Sequence, residues 1–206
     1  MEERSATVYI VDDDPSFLAA ISRLLRSTGY TVRAFDSARQ FLEDHEAEAP
    51  GCLLLDLAMP GLDGLSLQDL LLERGIERPI VFLTGRGDIV TSVKAMKHGA
   101  VDFLTKPVDE TILFSAVREA LEQDRQAREN RAEQEEFRRR WSTLTPRERE
   151  VARHVIAGRL NKQIASELGT VERTVKFHRS HLMTKLDLHS VAELARLAER
   201  AGIDPE

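Results

Sequence analysis

A single cysteine, Cys52, is all the thiol chemistry that 206 residues offer. It cannot close an internal disulfide, and its place beside Leu53–Asp56 suits a buried, reduced thiol in a cytosolic protein. Apolar runs are short as well. None approaches the roughly 18 residues that span a bilayer, so no membrane partner is expected. The opening MEERSATVYIV is acidic and passes straight into a strand-like run, which gives the expectation of no secretory leader and of a cytoplasmic location. A glycine-rich loop ending in Lys-Ser or Lys-Thr is missing too, and with it the usual cradle for a nucleoside triphosphate. What remains is 42% hydrophobic and 31% charged, the balance of an ordinary globular chain whose length suits one large domain or two small ones.

The net charge of −6 conceals an asymmetry. Residues 1–122 hold 21 acids and 12 bases, whereas residues 141–206 hold 9 acids and 11 bases. Between Arg147 and Lys185 there are 9 bases against 4 acids, together with His154, His178 and His181. Such a stretch can face phosphates, or it can be a solvated surface and nothing more.

Five short apolar runs alternate with helix-period segments over the first 121 residues. The runs are ATVYIV, YTVRAF, CLLLDL, PIVFLT and VDFLT; the helical segments are Pro15–Thr28, Ser37–His45, Leu65–Arg74, Asp88–His98 and Asp109 onward. Gly29, Gly75 and Gly99 follow three of these helices, where a left-handed residue closes the last turn. Continuous apolar strands between helices imply a doubly wound parallel sheet, covered on both faces. Its function belongs outside the strand carboxyl ends. The last of these helices carries Leu113, Val117, Ala120 and Leu121 on one face. From Gln123 to Arg140 it is almost wholly polar, with no proline or glycine. Asp124 with Arg128, Glu135 with Arg139 and Glu136 with Arg140 are spaced to support a continuous linker helix; a disordered linker is the alternative. Residues 1–121, 122–140 and 141–206 are therefore expected to be an α/β domain, a helical linker and an all-α domain.

Chemistry gathers at the strand ends. Asp12 and Asp13 follow YIV, Asp56 follows CLLL, Thr84 ends IVFLT, and Lys106 with Pro107 closes the fifth run. Three crowded carboxylates repel one another and call for a hard dication such as Mg²⁺. One of them can attack phosphorus and form an acyl phosphate, while the metal and a lysine neutralise the transferring charge. Singly, each residue has an ordinary reading as a turn former, a helix cap or a solvated end. A phosphatase with an aspartate nucleophile would need a second Asp two residues on, as general acid, and that position is Ala58.

Residues 6–121 resemble a response-regulator receiver domain, through IVDDDP, LLLDLAMPGLDG, VFLTGRGD and GAVDFLTKP in order and spacing. The resemblance implies Asp56 as phosphoacceptor. It implies Asp13 as a direct ligand of Mg²⁺ (or Mn²⁺), Asp12 as a ligand through water, and the Ala58 main-chain carbonyl as a further ligand. Lys106 and Thr84 would hold the phosphoryl group, with Thr84 and Phe103 as switch residues. Phe103 reads equally well as plain core. Gly85 leaves the phosphate side open. Ala58 cannot orient a water against the acyl phosphate, so slow self-dephosphorylation is expected, with Arg86 near enough to compensate.

Beyond Thr145 every segment is helical: Pro146–Ala157, Asn161–Leu168, Glu172–Leu186 and Val191–Arg200. Thr145, Pro146 and Glu148 form a capping-box pattern, Gly158 ends the first helix, and the turn between the next two fits a helix-turn-helix. Ile164, Ala165, Leu168, Val171, Val175 and Leu182 are its expected core. Arg173, Lys176, Arg179 and Lys185 fall on or near one exposed flank.

Residues 143–200 resemble the LuxR/FixJ-type output domain, through LTPRE, AGRLNKQIA, RTVKFHR and KL. The resemblance implies a four-helix DNA-binding domain in which Lys176, Phe177 and Ser180 face major-groove base edges. Asn161, Lys162, Arg173, Thr174, His178 and Lys185 would hold the DNA backbone, and Val191, Leu194 and Leu197 would offer a dimer contact. Val171 departs from the family's usual Ser or Thr cap, leaving Thr170 as a substitute with a displaced helix start. The whole chain thus resembles a transcription factor of the FixJ group, a regulator rather than an enzyme. Its implied partners are a sensor histidine kinase, double-stranded DNA, a second copy when phosphorylated, and RNA polymerase. The implied receiver dimer face comprises Asp88–Lys97, Val101–Thr105 and the start of the last receiver helix. A phospho-dependent module that binds protein instead of DNA is the alternative from another class.

Overall fold

The computed structural model describes residues 6–44, 49–85, 93 and 95–204. It divides into two compact units, Met1–Ala127 and Arg128–Glu206.

The first unit is a five-stranded parallel sheet of β1 (Thr7–Val11), β2 (Thr31–Phe35), β3 (Gly51–Asp56), β4 (Ile80–Thr84) and β5 (Asp102–Thr105), in the order β2-β1-β3-β4-β5. Around it lie α1 (Pro15–Ser27), α2 (Ala38–Asp44), α3 (Gly64–Glu73) and the first part of α4 (Glu110–Ser142). Val93 and residues 95–97 are also helical and His98 lies in the turn that follows; residues 88–92 and 94 of the helix expected over Asp88–His98 lie outside the described residues, as does Arg86.

The inner strands are buried on both faces, which is why they read as unbroken apolar runs. Alternate residues point to opposite sides. Val8, Ile10, Cys52, Leu54, Val81 and Leu83 pack with Leu25 of α1 and with Leu113 and Val117 of α4. Tyr9, Val11, Leu53, Leu55 and Phe82 pack with Phe41, Leu67, Leu71 and Ala95. Burial pushes the Cys52 thiol up to about 12, so it is an inert filler of the sheet core. Gly51 fits one close crossing: a Cβ there would lie 2.0 Å from the Thr7 carbonyl oxygen, and its N–H donates to buried Asp124 at 2.9 Å.

The second unit contains residues 128–142 of α4, then α5 (Pro146–Ile156), α6 (Asn161–Glu167), α7 (Glu172–Leu186) and α8 (Val191–Arg200). Its core joins Val151, Val155, Ile164, Ala165, Val175, Leu182, Leu194 and Leu197 to Phe137 and Leu144. The expected capping box is present: Thr145 Oγ1 accepts from the Glu148 N–H, and Glu148 accepts from the Thr145 N–H.

Several expectations are corrected. Val171 is not core; it is 64% exposed at the N-cap of α7, makes no side-chain cap, and the helix starts at Glu172 with no displacement toward Thr170. Leu194 and Leu197 are buried inside the unit, so of the three residues expected to offer a dimer contact only Val191 reaches the surface. Along α4 the expected Glu136–Arg140 pair is present at 2.6 Å, Arg139 bonds Glu136 rather than Glu135, and Asp124 accepts from the Gly51 N–H.

Candidate functional site

Parallel register brings the chemistry together. Val11 is level with Leu55 and Asp56 with Leu83, so Asp12, Asp56 and Thr84 emerge from adjacent strands at one end of the sheet. The Lys106 N–H donates to the Thr84 carbonyl at 2.6 Å and fixes the start of the segment after β5 beside them. Asp12, Thr84 and Asp56 are buried and Asp13 is exposed.

Lys106 Nζ lies 2.5 Å from Asp12 Oδ2 and 2.7 Å from Asp56 Oδ1, with the Phe17 ring 4.3 Å away. The second Asp56 oxygen accepts from the Ala58 N–H at 3.0 Å, and Asp12 Oδ1 accepts from the Asp14 N–H at 3.0 Å. Burial pushes the Asp12 carboxyl above its ordinary range, although the Lys106 and Asp14 donors pull the other way. Burial also works against charge on Lys106, yet its bonds to the two carboxylates hold the ammonium above the usual lysine range. Carboxylate oxygens of Asp12, Asp13 and Asp56 come within 4.8 Å of one another. Three hard oxygen donors with one neighbouring ammonium are a set compatible with a divalent cation.

Ala58 is exposed and Phe103 half-buried, its ring 6.2 Å from that of Phe82. Gly64, which the motif reading passed over, shapes the site as much as they do. A Cβ there would sit 2.4 Å from the Asp56 carbonyl oxygen and 3.1 Å from the Phe82 ring. Only glycine lets the first turn of α3 lie against the end of β3. A glycine beside a helix start is too common to single this one out from the sequence, because its reason is a tertiary approach.

In the helical unit, α7 turns Val175, Leu182 and Leu186 inward and leaves Arg173, Lys176, Phe177, Ser180 and His181 exposed. Lys162 is exposed, and Asn161, Thr174 and His178 are half-buried. Some residues expected to face DNA also bond within the unit, Lys185 among them although it is exposed. Arg179 Nη1 donates to Asn161 Oδ1 at 2.6 Å, which ties α7 to α6. Lys185 Nζ lies 2.6 Å from Glu148 Oε2. Burial would raise the Glu148 carboxyl, but the Lys185 ammonium and the Thr145 donors bring it down to about 2. Among the described residues, no helix is long and apolar enough to cross a membrane.

Comparison with known proteins matches each unit separately. Residues 8–118 match the family model for the response regulator receiver domain, and residues 142–198 that of bacterial regulatory proteins of the luxR family. The response regulator protein TodT of Pseudomonas putida is 45% identical over 200 residues, covering 97% of this chain and 88% of that one. The transcriptional regulatory protein FixJ of Bradyrhizobium diazoefficiens is 39% identical over 196 residues, 95% and 96% of the two chains. Among solved structures, the response regulator StyR superposes with a TM-score of 0.80 at 44% identity, over 95% of this chain and 99% of that one.

Proposed function

We propose, from the premise that this chain belongs to the response regulators that join a receiver domain to a luxR-family DNA-binding domain, that phosphorylation of Asp56 controls its binding to DNA. The family is one of transcription regulators, not of enzymes. The observation that carries the reading is the grip on Asp56: a strand-end carboxylate with one oxygen on Lys106 and the other on a main-chain N–H, beside two further acids.

In the proposed reaction an Asp56 oxygen bonds to phosphorus, and the bond from phosphorus to the donor breaks. The donor is a phosphohistidine of a sensor kinase, whose imidazole nitrogen leaves with the electron pair of the broken bond and takes up a proton. Lys106 stays beside the new phosphoryl oxygens, and the Thr84 hydroxyl supplies a further donor. Asp12, Asp13, Asp56 and the Ala58 carbonyl would hold Mg²⁺ or Mn²⁺, which supplies charge neutralisation when bound. The phosphorylated form dimerises, and two copies of α7 enter successive major grooves. Lys176, Phe177 and Ser180 reach bases, while Lys162, Arg173 and Thr174 hold the backbone. RNA polymerase is the downstream partner.

Mass spectrometry after incubation with a small phosphodonor and magnesium tests the first step. The chain should gain one phosphoryl group and Asp56→Asn none; a wild-type chain that stays unmodified beside a phosphorylated receiver control defeats the reading. For the second step, Lys176→Ala should weaken specific DNA binding and lower the salt slope by about one. Unchanged DNA binding would favour a protein partner instead.

A further inference from the structure

The chain has eight phenylalanines, and seven of them are buried or half-buried; Phe177, in the middle of α7, is 56% exposed. It stands two residues past the core residue Val175, roughly 200° around the helix, so its ring points away from the unit. It is also not loose. The His181 ring, one turn on, lies with its centroid 4.1 Å away at a 38° tilt, and the His178 ring meets its edge at 5.7 Å and 72°. An exposed aromatic clamped on the polar face of a basic helix has a fixed apolar edge and nothing in its own unit to bury it against.

Major-groove edges of base pairs carry one apolar group, the 5-methyl of thymine. We propose that Phe177, positioned by His181, reads a thymine methyl, so that this contact sets sequence preference at one position of the bound DNA. The inference rests on the DNA-binding reading above. A ring already held by its neighbour loses little rotamer freedom on contact, so the gain from burying the methyl is retained. Burying one methyl is worth about fourfold in affinity.

The test uses the full-length chain, with beryllofluoride as phosphate mimic, on a sequence obtained by binding-site selection. Each thymine is replaced in turn by deoxyuridine, which removes the methyl and keeps the hydrogen-bonding edge. Wild type should lose about fourfold at one position. Phe177→Ala should bind both duplexes equally, Phe177→Leu should keep the discrimination, and His181→Ala should reduce it with an unchanged melting temperature. Equal wild-type binding to every thymine and uridine pair, or full discrimination retained in Phe177→Ala, overturns the inference while leaving DNA binding intact. If the selection enriches no sequence, the DNA reading itself falls and this inference falls with it. A lowered oligomeric mass in Phe177→Ala with discrimination unaltered would assign the ring to a protein contact and overturn it as well.

Discussion

Ala58 holds Asp56 by its main chain alone: its N–H donates to the carboxylate, and its own side chain is an exposed methyl. Under the proposed mechanism an attacking water would find no polar group there to orient it. Ala58→Asn should therefore speed loss of phosphate by about tenfold, the worth of one positioned hydrogen bond, as timed after loading from a phosphodonor. Hydrolysis that is unchanged or slower would count against this role. Gly64 makes the complementary case. Gly64→Ala forces a carbon onto the Asp56 carbonyl, so α3 or the end of β3 has to shift. The cost should be about 1–3 kcal/mol in urea melts, with slower phosphorylation, whereas Gly85→Ala meets nothing within 4 Å among the described residues and should leave stability nearly unchanged. The acids, Thr84 and Lys106 were legible in the sequence because each directly follows or ends an apolar run. Gly64 was not, since what it avoids is a backbone atom brought near by folding.

Helix α7 begins without a side-chain cap, whereas Asp14, Asp63, Thr145 and Ser190 cap α1, α3, α5 and α8. Val171 already has the extended backbone of an N-cap, so Val171→Ser should add about 1 kcal/mol to the helical unit. Thermal melting followed by the fluorescence of Trp141, the single tryptophan, reports on that unit, because its ring packs on Phe137 at 5.9 Å. No gain in stability would mean that α7 is capped in solution by something other than its own residues. Glu148 gives the same element a pH response. Its carboxyl lies near 2 when folded and near the ordinary 4.5 of a glutamate when unfolded, so its stabilisation is complete above about 4.5 and fades as pH falls toward 2. Glu148→Gln should flatten stability against pH in that window and cost about 1–3 kcal/mol at neutral pH, since Lys185 then loses its buried partner. A mutant that keeps the wild-type acid slope would place that response elsewhere. The capping box was readable from Thr145 and Glu148 alone. The bond from Lys185 was not, because 37 residues separate the partners.

At the scale of the whole chain, two apolar patterns gave away two units, and the place where one ends is the least legible feature. The sequence from Gln123 to Arg140 looks like a polar linker because its apolar stripe nearly vanishes. Yet Phe137 is 3% exposed within the helical core, Arg140 donates to the Leu186 carbonyl at 2.9 Å, and Glu133 bonds Arg196 and Arg200 of α8 at 3.0 Å. One buried ring supported by polar bonds is too faint a period to separate from a solvated helix. A division at residue 141 and one at Arg128 then differ in a measurable way. A fragment starting at Arg128 should be more stable than one starting at Trp141 by about 3 kcal/mol or more, chiefly through the site that Phe137 fills. The exposed ion pairs of Glu133 should add little, and less in high salt. Phe137→Ala in the longer fragment should remove most of the difference, and Glu133→Gln little of it, with urea melts followed by circular dichroism. Two fragments of equal stability would mean that residues 128–140 only connect the units, and the division would belong at Trp141.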